Sequence, residues 1–236
     1  MHTILHPKEG RGGADHGWLR TRHSFSFADW YEPSRMGFGM LRVFNDDVIA
    51  PGTGFGMHHH KDFEIITIVM KGVVSHKDDM GNKMEVRAGE VQVMSAGTGV
   101  THAEFNDSKN ETLELFQIWI EPNTKGVESR YAQANFSSGP RHNAWQIYVS
   151  GGDVPDSLMI HQDARISRAD IDAGKNLSYT FSQKGNGAYC FVIDGEVEVG
   201  NETLRLRDAL GIWDTDHFSI TAKTFASVLL IEVPMG

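Results

Sequence analysis

Two short runs hold the residues of this chain best suited to chemistry: Met57-His58-His59-His60 and Thr101-His102-Ala103-Glu104. His58 and His60 stand two apart, and so do His102 and Glu104. On a β-strand that spacing puts both side chains of a pair on one face. Two such strands brought together aim three imidazoles and one carboxylate at a single point. Nitrogen and oxygen donors of this kind suit a first-row divalent metal better than Ca²⁺ or Mg²⁺. Four protein ligands on a five- or six-coordinate ion leave positions open, as reactive sites require. Strand alternation turns His59 to the opposite face.

The elements that must position these residues read as short strands. Ile65-Ile66-Thr67-Ile68-Val69 is β-branched throughout, and glycine turns follow at Lys71-Gly72, Met80-Gly81-Asn82, Ala88-Gly89 and Ala96-Gly97-Thr98-Gly99. Strands punctuated this way predict an antiparallel barrel or sandwich. The order His-x-His, a glutamate four residues on, a glycine turn and a later histidine resembles the two motifs of the cupin superfamily. A denser resemblance surrounds it. His16-Gly17-Trp18-Leu19, His23-Ser24-Phe25-Ser26-Phe27-Ala28-Asp29-Trp30-Tyr31 and Leu41-Arg42-Val43-Phe44-Asn45-Asp46-Asp47 look like signatures of the pirin family.

That resemblance implies an all-β bicupin, two tandem antiparallel β-barrels of jelly-roll type. Residues 1–130 form the metal-binding barrel and residues 131–236 a degenerate one. It implies four metal ligands, His58, His60, His102 and Glu104, and one divalent transition metal per chain. Fe(II) is the expected metal, with Cu, Ni, Mn, Co and Zn as alternatives. It also implies quercetin 2,3-dioxygenase activity on a flavonol with O₂. A substrate with adjacent oxygens would chelate the metal and lose a proton, with Glu104 as catalytic base as well as ligand. The alternative is a metal-dependent regulator that binds a transcription factor or a metabolic enzyme.

The second half reads as a worn copy of the first. Sliding one over the other sets Phe181 and Gln183 against His58 and His60, and Thr221 and Lys223 against His102 and Glu104. The carboxy-terminal half is therefore expected to hold no metal. Tyr131 to Pro140 is small and polar and reads as a crossover linker. Ser167 to Ala173 reads as a turn or a short helix. Glu64, four residues past His60, is expected to share its face and to accept a hydrogen bond from a ligand imidazole. His23 and His76 read as packed structural histidines. Phe25, Phe27, Trp30 and Tyr31 read as core or as a lid, some of which could wall a flat aromatic substrate.

Bulk properties narrow the partners. Lys and Arg total 22 against 31 Asp and Glu, a net charge of −9. No basic stripe is present to grip phosphates, so direct nucleic-acid binding is not expected. One cysteine, Cys190, excludes an internal disulfide and reads as a buried apolar residue. Met1 to Gly13 lacks the apolar core of a signal peptide, and no run is long enough to span a bilayer. A reduced cytoplasmic setting is the expectation.

Overall fold

The computed structural model describes residues 1–152 and 154–236, which form strands and one short 3₁₀ turn at Lys8–Gly10. No α-helix occurs among the described residues, and so none is long and apolar enough to cross a membrane. The strands make four sheets, of seven, four, seven and four strands. Each half of the chain pairs one seven-stranded sheet with one four-stranded sheet. The halves form the all-β, jelly-roll bicupin expected from the sequence, each a sandwich whose sheets stay open and do not close into a barrel.

The two large sheets pack face to face. Phe44, Ile66, Ile68, Phe116 and Ile118 from one meet Tyr189, Phe191, Leu229 and Ile231 from the other in one continuous core. Phe44 lies edge-on to Phe191 at 4.6 Å between centroids. A strand such as Glu64–Lys71 is therefore covered on both faces. Ile66 and Ile68 meet the partner half, while Ile65, Thr67 and Val69 turn into their own sandwich. This is why the run is apolar throughout and does not alternate.

The halves exchange material across residue 130. His2–His6 pairs with Ala209–Trp213 and so extends the carboxy-terminal large sheet. Arg130–Asn135, expected as linker, is a strand on Glu90–Ser95 in the amino-terminal large sheet. Its small residues, Ala132 and Ala134, pack on the shared core, and Tyr131 and Gln133 alternate with them. Most of the Ser167–Ala173 stretch is not a turn or helix either, the turn beginning only at Ala173. Arg165–Ile171 is a strand in full register with Ala226–Pro234. Pairing with a distant strand decides this segment against its weak local preference.

The interiors of the two sandwiches differ in kind. The carboxy-terminal interior is one apolar cluster that includes Cys190. Its strand pair, Asn176–Thr180 with His217–Ala222, presents Leu177, Tyr179, Phe218, Ile220 and Ala222 inward. Phe181 also packs against this cluster, 5.8 Å from Phe218, whereas Thr221 alternates with the inward-facing Ile220 and Ala222. The strands end at Thr180 and Ala222, so Phe181, Gln183 and Lys223 lie beyond them. Lys223 does not enter the interior but pairs with Glu198 at 2.6 Å. In the amino-terminal sandwich the apolar interior is split into two clusters, around Leu115 and around Met94. Polar residues lie between them.

Candidate metal centre

His58 and His60 lie on Thr53–His60, and His102 and Glu104 on Val100–Asn106, neighbours in the small amino-terminal sheet. His102 stands directly opposite His58. The pairing then slips, so that Glu104 faces Phe55, with the extra residue in the Gly56-Met57 region. Bulges of this kind re-aim side chains beside functional sites. The His58 ring lies 4.8 Å from that of His60 and 4.4 Å from that of His102. Ligand nitrogens of all three fall within 4.8 Å of one another.

Three observations suit these imidazoles to a metal. His58 Nδ1 donates to the Gly56 carbonyl oxygen at 2.8 Å, which leaves Nε2 with its lone pair. Burial lowers His60 to about 4 and His102 to about 3, helped in each case by neighbouring histidines. Both rings are thus neutral at ordinary pH, the form that ligates. Finally, both ring nitrogens of His102 are buried without a hydrogen-bond partner. Leaving a buried imidazole unpaired is costly, and a cation among the three rings would take up one of its two nitrogens. His59 is exposed and turned away, 3.3 Å from Thr101 Oγ1.

Glu104 falls in an adjoining group, with His102 and His76, rather than in the three-histidine group. It is held by three donors from the facing large sheet. Thr67 Oγ1 and Gln92 Nε2 donate to Oε1, each at 2.9 Å. Gln117 Nε2 donates to Oε2 at 2.9 Å. The Tyr131 hydroxyl lies 3.2 Å from Gln92 Oε1 and 2.6 Å from Gln133 Oε1, and its one proton serves these two acceptors. Thr67, Gln92 and Gln117 belong to one row across that sheet, His23–Asn45–Gln117–Thr67–Gln92, every member opposite the next. This polar row is what divides the apolar interior.

Sequence reasoning missed these holders, although each shows as a single polar residue inside an apolar run: Ile66-Thr67-Ile68, Val91-Gln92-Val93 and Phe116-Gln117-Ile118. It also placed His76 in a purely structural role. The ring of His76 lies 5.4 Å from that of His102, and its Nε2 meets Asp78 Oδ2 at 3.0 Å in full burial. The His-x-Asp spacing on the strand Val73–Asp78 was the available signal. Glu64 fails its expected part. The strand ends at His60, and Asp62 takes a left-handed φ of 52°, so alternation does not carry through to Glu64. Glu64 instead accepts from Ser95 Oγ at 2.7 Å, and burial pushes it up to about 7.

A cavity of about 590 Å³ opens over His58, His60, His102 and Glu104. Trp18, Phe27, Trp30, Phe55 and Trp119 wall it. Phe27 packs edge-on to Trp119 at 5.5 Å, and Trp30 lies against Gly12, where any Cβ would clash with the indole. The aromatic set thus divides. Phe25 is core, Phe27 and Trp30 roof the cavity, and Tyr31 is exposed. His23 is packed as expected, with Nδ1 2.9 Å from Asn45 Oδ1, and it also lines the cavity.

The family description Pirin matches residues 5–120, and Quercetinase C-terminal cupin domain matches residues 147–233. The pirin-like protein of Caulobacter vibrioides is 44% identical over 227 residues, 96% of this chain and 97% of its own. The chain belongs to the pirin family. This pirin is also 43% identical over 224 residues to the quercetin 2,3-dioxygenase of Escherichia coli K12, 95% of each chain. The crystal structure of YhhW from Escherichia coli superposes with a TM-score of 0.94 at 41% identity, over 100% of this chain and 99% of that one. A second crystal structure, of bacterial pirin YhhW in complex with nickel(II), gives the same TM-score. The pirin is a two-domain cupin with a histidine and glutamate cluster suited to metal, and its relatives carry the name of a dioxygenase.

Proposed function

We propose that this pirin is a metal-dependent dioxygenase that takes a flavonol and O₂, with His58, His60, His102 and Glu104 as the ligands and Fe(II) as the working metal. The observation that carries this reading is the convergence of three imidazoles on the floor of an aromatic-walled cavity, with both nitrogens of His102 buried and unpartnered. The relatives named for quercetin 2,3-dioxygenation support it. A divalent metal bound there supplies Lewis acidity, which favours the anionic form of a substrate hydroxyl.

The chain's own residues orient the reaction. At about 590 Å³ the cavity falls within the ~300–1,000 Å³ usual for small-molecule sites. Phe27, Trp30 and Trp119 offer faces and edges to a flat aromatic substrate. Thr67 and Gln92 fill both lone-pair directions of Glu104 Oε1, and Gln117 takes one of the two on Oε2. One lone pair of Oε2 therefore remains, with which Glu104 would hold a metal or accept a substrate proton.

The test is anaerobic purification with elemental analysis, followed by O₂ consumption over a panel of flavonols. Uptake that depends on Fe(II) and flavonol together is the expected result. An Fe(II)-loaded protein that consumes no O₂ with any flavonol overturns the dioxygenase reading, and the protein-binding reading of the sequence takes its place.

A further inference from the structure

Beyond the ligand set, the cavity presents buried polar groups with capacity to spare. Thr21 and Asp47 face each other across adjacent strands and have no other close partner, and Gln117 Oε1 is buried without one. All three residues line the cavity. They sit on three adjacent strands, Leu19–His23, Leu41–Ile49 and Leu113–Ile120. Thr21 stands opposite Asp47, and Asp47 opposite Leu115, two residues from Gln117. At a strand spacing of about 4.8 Å, Thr21 lies roughly 10 Å across the sheet from Gln117, which holds Glu104. These groups thus run from the foot of the imidazole cluster toward the far wall.

Their chemistry specifies a ligand. Gln117 Oε1 only accepts, whereas the Thr21 hydroxyl donates and accepts. Burial pushes the Asp47 carboxyl up to about 7, so near neutrality it can donate a proton as well as accept one. A bare hydrocarbon ring satisfies none of them. A second carboxylate would meet Asp47 and Glu104. A hydroxyl both donates and accepts, and on a flat ring it fits between the aromatic walls.

We propose that Thr21, Asp47 and Gln117 form a second recognition point, at which Asp47 selects aromatic substrates that bear a hydroxyl on the ring remote from the imidazole cluster. The proposal rests on the flavonol reading. It makes Asp47 a specificity residue that is separate from the metal ligands.

Two flavonols with the same 3-hydroxy-4-oxo pair test it, one hydroxylated on the pendant ring and one not. Binding is measured without O₂ on nickel(II)-loaded protein by quenching of tryptophan fluorescence, so no turnover is involved. The parent is expected to bind the hydroxylated compound about tenfold more tightly. Asp47→Leu should shrink that preference to about twofold and bind the deoxy compound at least as well as the parent. An unchanged preference in Asp47→Leu overturns the proposal. So does a parent with no preference, although the flavonol reading then stands. A parent that binds neither compound overturns both. A second readout is the thermal midpoint of metal-free Asp47→Asn at pH 7 and above, which should equal or exceed the parent's, because an amide cannot take on charge in burial. A large fall would assign Asp47 a structural role instead.

Discussion

Replacing Glu104 by glutamine separates its part as an anchored side chain from its part as a charge. In the parent, Oε1 takes the Thr67 hydroxyl and the Gln92 amide, while Oε2 takes the Gln117 amide, all at 2.9 Å. The variant keeps an acceptor at Oε1, so the first two bonds persist as neutral ones. Hydrogen bonds to a charged group contribute about 1.5–3 kcal/mol and neutral ones about 0.5–1.5, a loss of roughly 1 kcal/mol each. The new amide would face the Gln117 amide, donor against donor. Gln117 Oε1 has no partner, so turning that amide over restores a bond. The variant therefore folds, with a net cost of about 3 kcal/mol over the three bonds before any gain from no longer burying a charge. For a chain of this size that is a fall of roughly 6–12 °C in the metal-free midpoint. Loss of the carboxylate should lower metal affinity without emptying the site, since three imidazoles remain. It should slow flavonol-dependent O₂ uptake by ~10²–10⁴. The assays are a thermal melt, elemental analysis and an oxygen electrode on the same preparation. Metal-loaded Glu104→Gln that works at the parent rate would refute the role of base. A collapse of the fold would refute the accounting of donors.

Three further outcomes follow from the same geometry. His58→Ala, His60→Ala and His102→Ala should each lose most of the bound metal while His59→Ala keeps it, as elemental analysis after dialysis will show; equal losses in all four would place the centre elsewhere. Metal content should saturate at one equivalent per chain, because Leu177, Tyr179, Phe218, Ile220 and Ala222 face the carboxy-terminal interior, and a second tightly held equivalent would contradict this. The Asp47 carboxyl is raised from 3.8 to about 7 by burial, so the folded state keeps a proton that the unfolded chain releases. Its stabilising contribution is complete below about pH 4 and is lost as pH rises to about 7. Midpoints of Asp47→Asn should gain on the parent across that window, and a difference that stays constant with pH would rule this out.

Parity along a strand is a local property, and it carried most of what the sequence could say. His58 and His60 share a face and His59 does not, whatever the strand later pairs with. The same reasoning failed at Glu64, because it assumed that the strand ran on. The left-handed turn at Asp62 interrupts it, and the sequence there carries no glycine to announce the break. Alignment of the halves by sequence offset placed Phe181 against the carboxy-terminal interior, where it packs. It was off by one residue at Thr221 and Lys223, since Ile220 and Ala222 are the inward-facing residues there. The linker and helix expectations at Tyr131–Pro140 and Ser167–Ala173 failed for another reason. Residues 131–135 and 167–171 lie in strands stabilised by partners far away in sequence, and only the remainder of each segment is loop or turn.

What the sequence by itself determined is which of His58, His60, His102 and Glu104 share a strand face, and the all-β character of the chain, because these follow from residue type and a period of two. The tertiary structure alone decided what surrounds that set. Thr67, Gln92 and Gln117 are 37, 12 and 13 residues from Glu104 along the chain. They meet it only because sheet register lines them up in one row beneath the small sheet. His76 and Asp47 were ordinary polar residues in the sequence, and they became part of the site when two sheets closed over them. Strand parity is written in neighbouring residues, whereas register and sheet packing depend on contacts between segments that no local pattern relates.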